Sequence, residues 1–328
     1  MWARVCLLAA IFASATLCGC IPKRINWSHD GKKAAVISEK GLHLCDVKGE
    51  ISDLLLPDVR AAEWLPDDKR LLLVMDLDLD NWQTIQQYLS KDQQKRLIHY
   101  AGQLCRDVKT LSEWEANVRR LVQSTDVTQN EVDGIKYYLK HDKSMLHDKV
   151  IGKWDKFNPF TVSVIRLAQV NDDKVTPGAV LHGVGYSIWE TRVSHDGKSV
   201  AWVQGNPFLD ADHPDQLPLA LWVCGLDKPD QGRMIAGNAA MYPDWSPDGR
   251  HLLYAQSRDA ADQEVALGAI YRIDANAALA AREDAKPSTE PLVGIIMDNQ
   301  TRIRCLDNGS ILFTAIETTL PLTLHEFH

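Results

Sequence analysis

The sequence predicts an all-β chain made of repeated four-stranded antiparallel sheets, interrupted by one α-helical insertion. Three observations lead there. A short phrase joining turn residues to an alternating apolar run recurs along the chain, further apolar strands follow several of its copies, and a single long stretch carries helical periodicity instead.

The phrase occurs five times: INWSHDGKKAAVIS from Ile25 to Ser38, AEWLPDDKRLLLVM from Ala62 to Met75, TRVSHDGKSVAWVQ from Thr191 to Gln204, PDWSPDGRHLLYAQ from Pro243 to Gln256, and IRCLDNGSILFTA from Ile303 to Ala315. Each copy has the logic of a hairpin. An Asp or Asn bonds its own backbone in a tight turn, Gly takes positive φ, and a second strand rich in Val, Leu and aromatic residues follows. A third strand is legible as GLHLCDVKG from Gly41, LALWVCGLD from Leu219 and GAIYRIDAN from Gly268, and a fourth as ISDLLLP from Ile51 and PLVGIIM from Pro291. Four antiparallel strands per unit, repeated, make the blades of a β-propeller. About five blades are recognisable, the last one incomplete. A β-sandwich also has short strands with turn signals, but repeated phrases at blade-sized spacing are unusual there.

These phrases resemble the TolB-like, WD40-like repeats of bacterial propellers, found also in the propellers of prolyl-oligopeptidase-type peptidases. The family pattern is Trp-Ser-Pro-Asp-Gly-Lys/Arg, an apolar strand, then Ile-Tyr-x-x-Asp, and Trp245 to Arg250 with Ile270, Tyr271 and Asp274 follow it. The copies around Gly31 and Gly197 carry His in place of Pro; the second copy has lost its Gly, at Lys69, and the fifth inserts Asn308. The resemblance covers most of the chain outside its N-terminal segment and the insertion. It implies a propeller and, because TolB-like propellers bind proteins in the cell envelope, a protein or peptide partner. It does not extend to peptidase chemistry. The chain has no GxSxG nucleophile elbow, and too few residues remain for a hydrolase domain.

Between the second hairpin and the strand FTVSVIRLAQV from Phe160 lies the insertion, residues 81–157. Ser90 with Gln93, Ser112 with Glu115 and Thr128 with Glu131 fit the capping box that opens a helix. Leu97, Ala101, Leu104 and Val108 recur at helical spacing, as do Leu111, Trp114, Val118 and Leu121. The segment leaves and re-enters one blade, so it packs over one face or the rim of the disc. Its aromatics, Trp82, Tyr88, Tyr100, Trp114, Tyr137, Tyr138 and Trp154, suit either a recognition surface or a core. The propeller is thereby divided into residues 20–80, with the first blade and half of the second, and residues 158–328. After ILFTAIETTLPLTLHEFH no further strands complete the fifth blade, so the expectation is a truncated member or a ring closed by another route or a partner.

Residues 1–19 are of another kind. Arg4 precedes an apolar run from Val5 to Leu17, too short to cross a bilayer comfortably and right for a secretory signal. The following Leu17-Cys18-Gly19-Cys20 resembles the bacterial lipoprotein lipobox, which implies acylation of Cys20 as the mature N-terminus and attachment to a bacterial membrane on its periplasmic or outer-membrane side. A plain signal peptide or a short membrane anchor is the alternative. Of the seven cysteines, Cys45, Cys105, Cys224 and Cys305 then remain in the body, with no CxxC spacing, as free thiols or as one of three disulfide pairings.

Acidic residues outnumber basic ones, 44 to 36, which argues against nucleic acid as the partner. No cofactor or metal is expected. His141 and His147 stand six apart, off the spacing that puts two ligands on one helical face; His213 to Asp215 sit in a Pro- and Asp-rich loop; and Asp76 to Asn81 lack the Gly and Glu of a calcium loop and read as the acidic cap of the first inserted helix. One pattern is less obvious. Four places before the turn Gly stand Trp27, Trp64, Val193, Trp245 and Cys305, an apolar series suited to packing between blades. The residues just before them are Asn26, Glu63, Arg192, Asp244 and Arg304, whose signs alternate from the second copy onward. Equivalent positions on neighbouring blades lie close, so Glu63, Arg192, Asp244 and Arg304 are the candidate inter-blade charge chain near the channel.

The expected function is that of a lipid-anchored, exported propeller acting as a binding or scaffold module and not as an enzyme. The alternatives are the propeller portion of a peptidase-like chain without its catalytic half, and a small-ligand sensor.

Overall fold

The computed structural model describes residues 24–313 apart from 90, 126, 147, 155–157, 185–187, 206–218, 238–239, 258–265, 282–287, 298–301, 307 and 309. The N-terminal segment with Cys20, the cap at Ser90, His147, the loop with His213 and Asp215, and the chain after Phe313 therefore lie outside the described residues.

Each hairpin phrase opens one sheet of sequential antiparallel strands. Blade 1 comprises β1 (Ile25–Trp27), β2 (Lys33–Ser38), β3 (Gly41–Asp46) and β4 (Leu56–Pro57). Its fourth strand is shorter than expected: the stretch from Ile51 contributes an isolated bridge, Cys45 to Ile51, and then the pairing of Leu56 and Pro57 with β3. Blade 2 has β5 (Val59–Trp64), β6 (Arg70–Leu79), β7 (Phe160–Asn171) and β8 (Lys174–Val184). Blade 3 has β9 (Ile188–Val193), β10 (Ser199–Gly205), β11 (Leu219–Gly225) and β12 (Lys228–Ala236). Blade 4 has β13 (Ala240–Trp245), β14 (His251–Ser257), β15 (Ala266–Asp274) and β16 (Thr289–Met297), and blade 5 is described as the hairpin of β17 (Ile303–Cys305) with β18 (Ile311–Phe313). The first strands touch in series, β1 with β5, β5 with β9, β9 with β13 and β13 with β17. Sheets arranged side by side about their first strands make this chain a β-propeller.

Strand periodicity explains the packing, because a period of two sends alternate side chains to opposite flanks of each blade. Along β6, Leu71, Leu73 and Met75 join Ala35, Leu42 and Leu44 of blade 1, whereas Leu72 and Val74 join Val200 and Trp202 of blade 3. Blades 3 and 4 meet through Val203, Leu221 and Val223 against Trp245, Leu252 and Tyr254. Blades 4 and 5 meet through Leu253, Ala255 and Ile270 against Ile303.

The turns repeat one set of bonds. In the third copy the Ser194 hydroxyl donates to Asp196 Oδ1 at 2.6 Å, the Lys198 N–H donates to the same oxygen at 3.1 Å, and the Ser199 N–H donates to Ser194 Oγ at 2.9 Å. Ser28 with Asp30 and Ser246 with Asp248 do the same. Gly31, Gly197 and Gly249 all have φ between 67° and 69°, the left-handed region glycine adopts without a Cβ clash. In the second copy that position falls on Asp68, at φ 53°, and not on Lys69. Its carboxylate accepts the His29 N–H at 2.6 Å and the Asp30 N–H at 3.0 Å, so the residue that replaced glycine ties blade 2 to the turn of blade 1.

Helices fill the insertion: α1 (Trp82–Tyr88), α2 (Lys91–Leu104), α3 (Leu111–Ser124), α4 (Gln129–His141) and the short α5 (Asp148–Ile151). A sixth, α6 (Ala275–Ala280), follows β15 and is capped by Asp274. Thr128 and Glu131 form the expected capping box on α4. The box on α3 is Thr110 with Glu113, two residues earlier than Ser112 with Glu115, because the hydroxyl must precede the first helical residue to reach a free amide. Of the run Asp76 to Asn81, only the last residue caps the helix. Asp76 and Asp78 are strand residues of β6 whose carboxylates accept from Ser163 Oγ at 2.6 Å and Thr161 Oγ1 at 2.7 Å on β7, and the cap of α1 is Asn81, accepting from the Thr84 N–H at 2.9 Å.

The turn carboxylates tie stability to pH. The Lys32 ammonium, then the Lys32 N–H and the Ser28 hydroxyl, hold Asp30 down to about 2 from an ordinary 3.8. The hydroxyl of Ser246 and the N–H of Arg250 lower Asp248; partial burial pushes Asp196 upward, yet the bonds from Ser194 and Lys198 leave it below the usual range. A carboxylate lowered in the folded state adds stability that is complete above its unfolded pKa and is lost as pH falls through the folded one. Chemical denaturation should therefore give a level stability from neutrality to about pH 5 and a decline from about pH 4 towards pH 2, less steep in Asp30→Asn.

Candidate functional site

The inner strands bring the sequence-selected polar residues to the blade junctions. At the first junction Trp64 Nε1 donates to Asn26 O at 3.0 Å and Asn26 Nδ2 donates to Ala62 O at 3.2 Å. At the second, the Val193 N–H donates to Glu63 Oε1 at 3.1 Å. At the third, Trp245 Nε1 donates to Arg192 O at 3.0 Å and Arg192 Nε stands 4.0 Å from Asp244 Oδ1. At the fourth, the Cys305 N–H donates to Asp244 Oδ2 at 2.8 Å and Arg304 Nη1 lies 3.6 Å from Asp244 Oδ1.

Two devices therefore alternate around the arc. Where the position before the turn is Trp, its indole reaches back to a main-chain carbonyl of the preceding blade. Where it is Val or Cys, which have no such donor, the main-chain N–H is received by a carboxylate of the preceding blade. The alternating signs follow from this, since each carboxylate left between blades needs a cation beside it.

Arg192 sits at the centre, bonded to Glu190 and to Thr191 O. Burial works against its charge, but Glu190, Glu63 and Asp244 outweigh it and hold the guanidinium protonated beyond its usual range. Asp244 is buried at 6% exposure and serves Arg192, Arg304 and Cys305 at once, so it joins blades 3, 4 and 5. Such a network can lock geometry through its charges, although Arg192 Nε, 4.0 Å from Asp244 Oδ1, is buried without a hydrogen bond of its own.

The remaining candidates lie as follows. Trp82, Trp114, Tyr137 and Tyr138 are buried, while Tyr88, Tyr100 and Trp154 are half-buried against the same core. Their rings pair with one another: Trp82 with Tyr138 and Trp114 with Trp154, each at 5.1 Å between centroids. The aromatics thus fill the junction of insertion and propeller instead of forming a free contact surface. Cys45, Cys105, Cys224 and Cys305 are free thiols, and burial pushes Cys224 up to about 12 and Cys105 to about 11, which keeps both protonated and unreactive at neutral pH. His141 Nδ1 lies 2.9 Å from Gln83 Nε2. Among the described residues, no group of three or more His, Cys, Asp or Glu is placed to hold a metal ion.

Sequence reasoning missed a second group of residues at the start of the inner strands. There Trp189 is 68% exposed, and Arg60 donates to Ile188 O at 2.7 Å while its Nε lies 3.3 Å from Asp76 Oδ2. Tyr242 takes a left-handed φ of 56° with Arg302 Cζ 5.0 Å from its ring centroid. The available signal was the offset of these residues, three or four places before the apolar series.

No protein-family profile matches the chain, and no curated protein matches it. Solved structures do. Kuenenia stuttgartiensis hydrazine synthase superposes with a TM-score of 0.44 and 10% identity over 93% of this chain and 59% of that one. The tricorn protease gives 0.45 and 8% over 89% of this chain and 25% of that one; Pyrococcus horikoshii acylaminoacyl peptidase gives 0.42 and 14% over 90% and 36%. This chain therefore spans less than two thirds of the length of each, and the propeller assignment rests on its own strand pairing.

Removing Asp244 leaves Arg192 in a buried site with less compensating charge, and cuts blade 5 from blade 4. Asp244→Ala should lose about 3 kcal/mol in urea denaturation, the low end of the cost of breaking a buried pair, because Glu190 still faces the guanidinium. The exposed pair of Arg272 with Glu290 is the control, and Glu290→Ala should change stability by about 0–1 kcal/mol.

Proposed function

We propose that this chain is a protein-binding scaffold of the bacterial cell envelope, exported, held at a membrane by lipid on Cys20, and working by presentation instead of catalysis. The observation that carries this reading is the inequality of the two faces. Strand direction puts the Ser-x-Asp-Gly turns on one face, where their polar groups bond each other and the neighbouring blade. The other face carries the insertion, the raised ends of β6 and β7, and the exposed Trp189 at the start of β9.

The insertion is a fixed shelf. Asn130 exchanges two bonds of 2.8 Å with the backbone of Thr161, mimicking a strand partner, and a Cβ on Gly134 would stand 2.8 Å from the Phe160 ring, so α4 lies directly on β7. An exposed tryptophan near Arg60 on such a platform has the composition of protein-contact hot spots. Arg4, the apolar run from Val5 to Leu17 and the Leu17-Cys18-Gly19-Cys20 sequence support the lipid anchor, which would raise the effective concentration of partners at a membrane surface.

A photo-cross-linking amino acid placed at Trp189 in living cells should yield a discrete adduct with another protein. The same probe at Lys32, on the turn face, should give none; equal labelling from both faces, or none from Trp189, would defeat the reading. Separately, Cys20→Ser should move the protein from the membrane fraction to the soluble fraction, and continued membrane retention would exclude an anchor at that thiol.

A further inference from the structure

The blade junction described above repeats, and among the described residues the first and last blades each carry an unmatched half of it. Trp27 holds the position of Trp64 and Trp245, which are 2% and 1% exposed with their indoles bonded to the preceding blade. Trp27 is 48% exposed and Ile25 53%. Their cross-strand partners are Ala34 and Val36, followed by Cys45 and His43 on β3, and Ile51, at 61% exposure, bridges to Cys45. One flank of blade 1 is thus a largely apolar face with no blade against it among the described residues.

The opposite end shows the complementary half. On blade 5, Ile303, Cys305, Ile311 and Phe313 turn towards blade 4, which leaves Leu312 on the outer flank at 58% exposure, with Leu306 beside the turn at 42%. Arg304 occupies the position whose carbonyl, in Asn26 and Arg192, receives the indole of the following blade. Among the described residues the two halves are not packed on each other: Trp27 and Leu312 are both exposed.

We propose that the occupant of the blade 1 flank is blade 5 of a second copy of this chain. The contact continues the interface already used at four junctions, with Trp27 of one copy covering the inner strand of blade 5 of the next. Because two different surfaces meet, the association is head-to-tail, and it either closes into a ring of arcs or extends as an open chain.

The test is sedimentation of the full-length chain in mild detergent over about a hundredfold range of concentration. Wild type should self-associate, while Trp27→Glu and Leu312→Glu should each be monomeric, with unchanged melting curves because both side chains are exposed. Mixing the two variants should restore a one-to-one complex and nothing larger, since each retains one intact end. A monomeric wild type would overturn the proposal, and so would self-association of Leu312→Glu alone, which would mean like-with-like contact, or failure of the mixture to pair. Association unaffected by either substitution would place the contact elsewhere, in the N-terminal segment for instance, and would also overturn it.

Discussion

A blade cannot stand alone, because both flanks of its sheet are apolar and each must be covered by a neighbour. Full burial of a large aliphatic side chain contributes roughly 1.5–3 kcal/mol, and each of the first three junctions buries several apolar side chains from either side. That force has no direction, and two greasy sheets could slide over one another. The inner-strand bonds supply the direction: an indole meets one carbonyl, or an amide meets one carboxylate, and the register of blade against blade is fixed. Arg192 and Asp244 are the cost and the means of that register, a buried ion pair tolerable because Glu190 and Glu63 add their charge to that of Asp244 around the guanidinium.

Much of the fold was legible because the same physics is written several times. Trp, Ser, Asp and Gly each have a separate duty in the hairpin turn, so a copy that departs from the pattern can still be aligned by the residues that remain. The outer strands were harder to see. β8 contains Pro177 and β12 reads KPDQGRMIA, and neither has a clean alternation, because an outermost strand pairs on one side only and can accept a Pro that a strand paired on both sides could not. The misplaced cap on α3 has a similar origin: Thr110, Ser112, Glu113 and Glu115 offer two overlapping boxes, and only the preceding backbone selects one.

The candidate site was readable to the extent that it obeys the repeat. Glu63, Arg192, Asp244 and Arg304 were found by position, and their neighbours follow from ring geometry. Glu190 and Cys305 as partners were not, since one is a same-strand contact and the other a main-chain amide, which no side-chain pattern reveals. The insertion's aromatics were ambiguous for a deeper reason: rings that pack a core and rings that meet a partner are chosen for the same property, and only burial separates Trp114 from Trp189.

The placement of the insertion between β6 and β7 has a consequence for how the chain comes off the ribosome. Leu79 must pair with Phe160, yet the whole helical segment is synthesised before that partner exists. β6, with Leu71, Leu73 and Met75 on one flank, would wait as a bare sticky edge for several seconds at ordinary elongation speeds of about 5–20 residues per second. Helices form from local contacts far faster than that. The helical segment can therefore be formed before β7 leaves the ribosome, so that Phe160 and Thr161 meet a face that already carries Gly134 and Asn130.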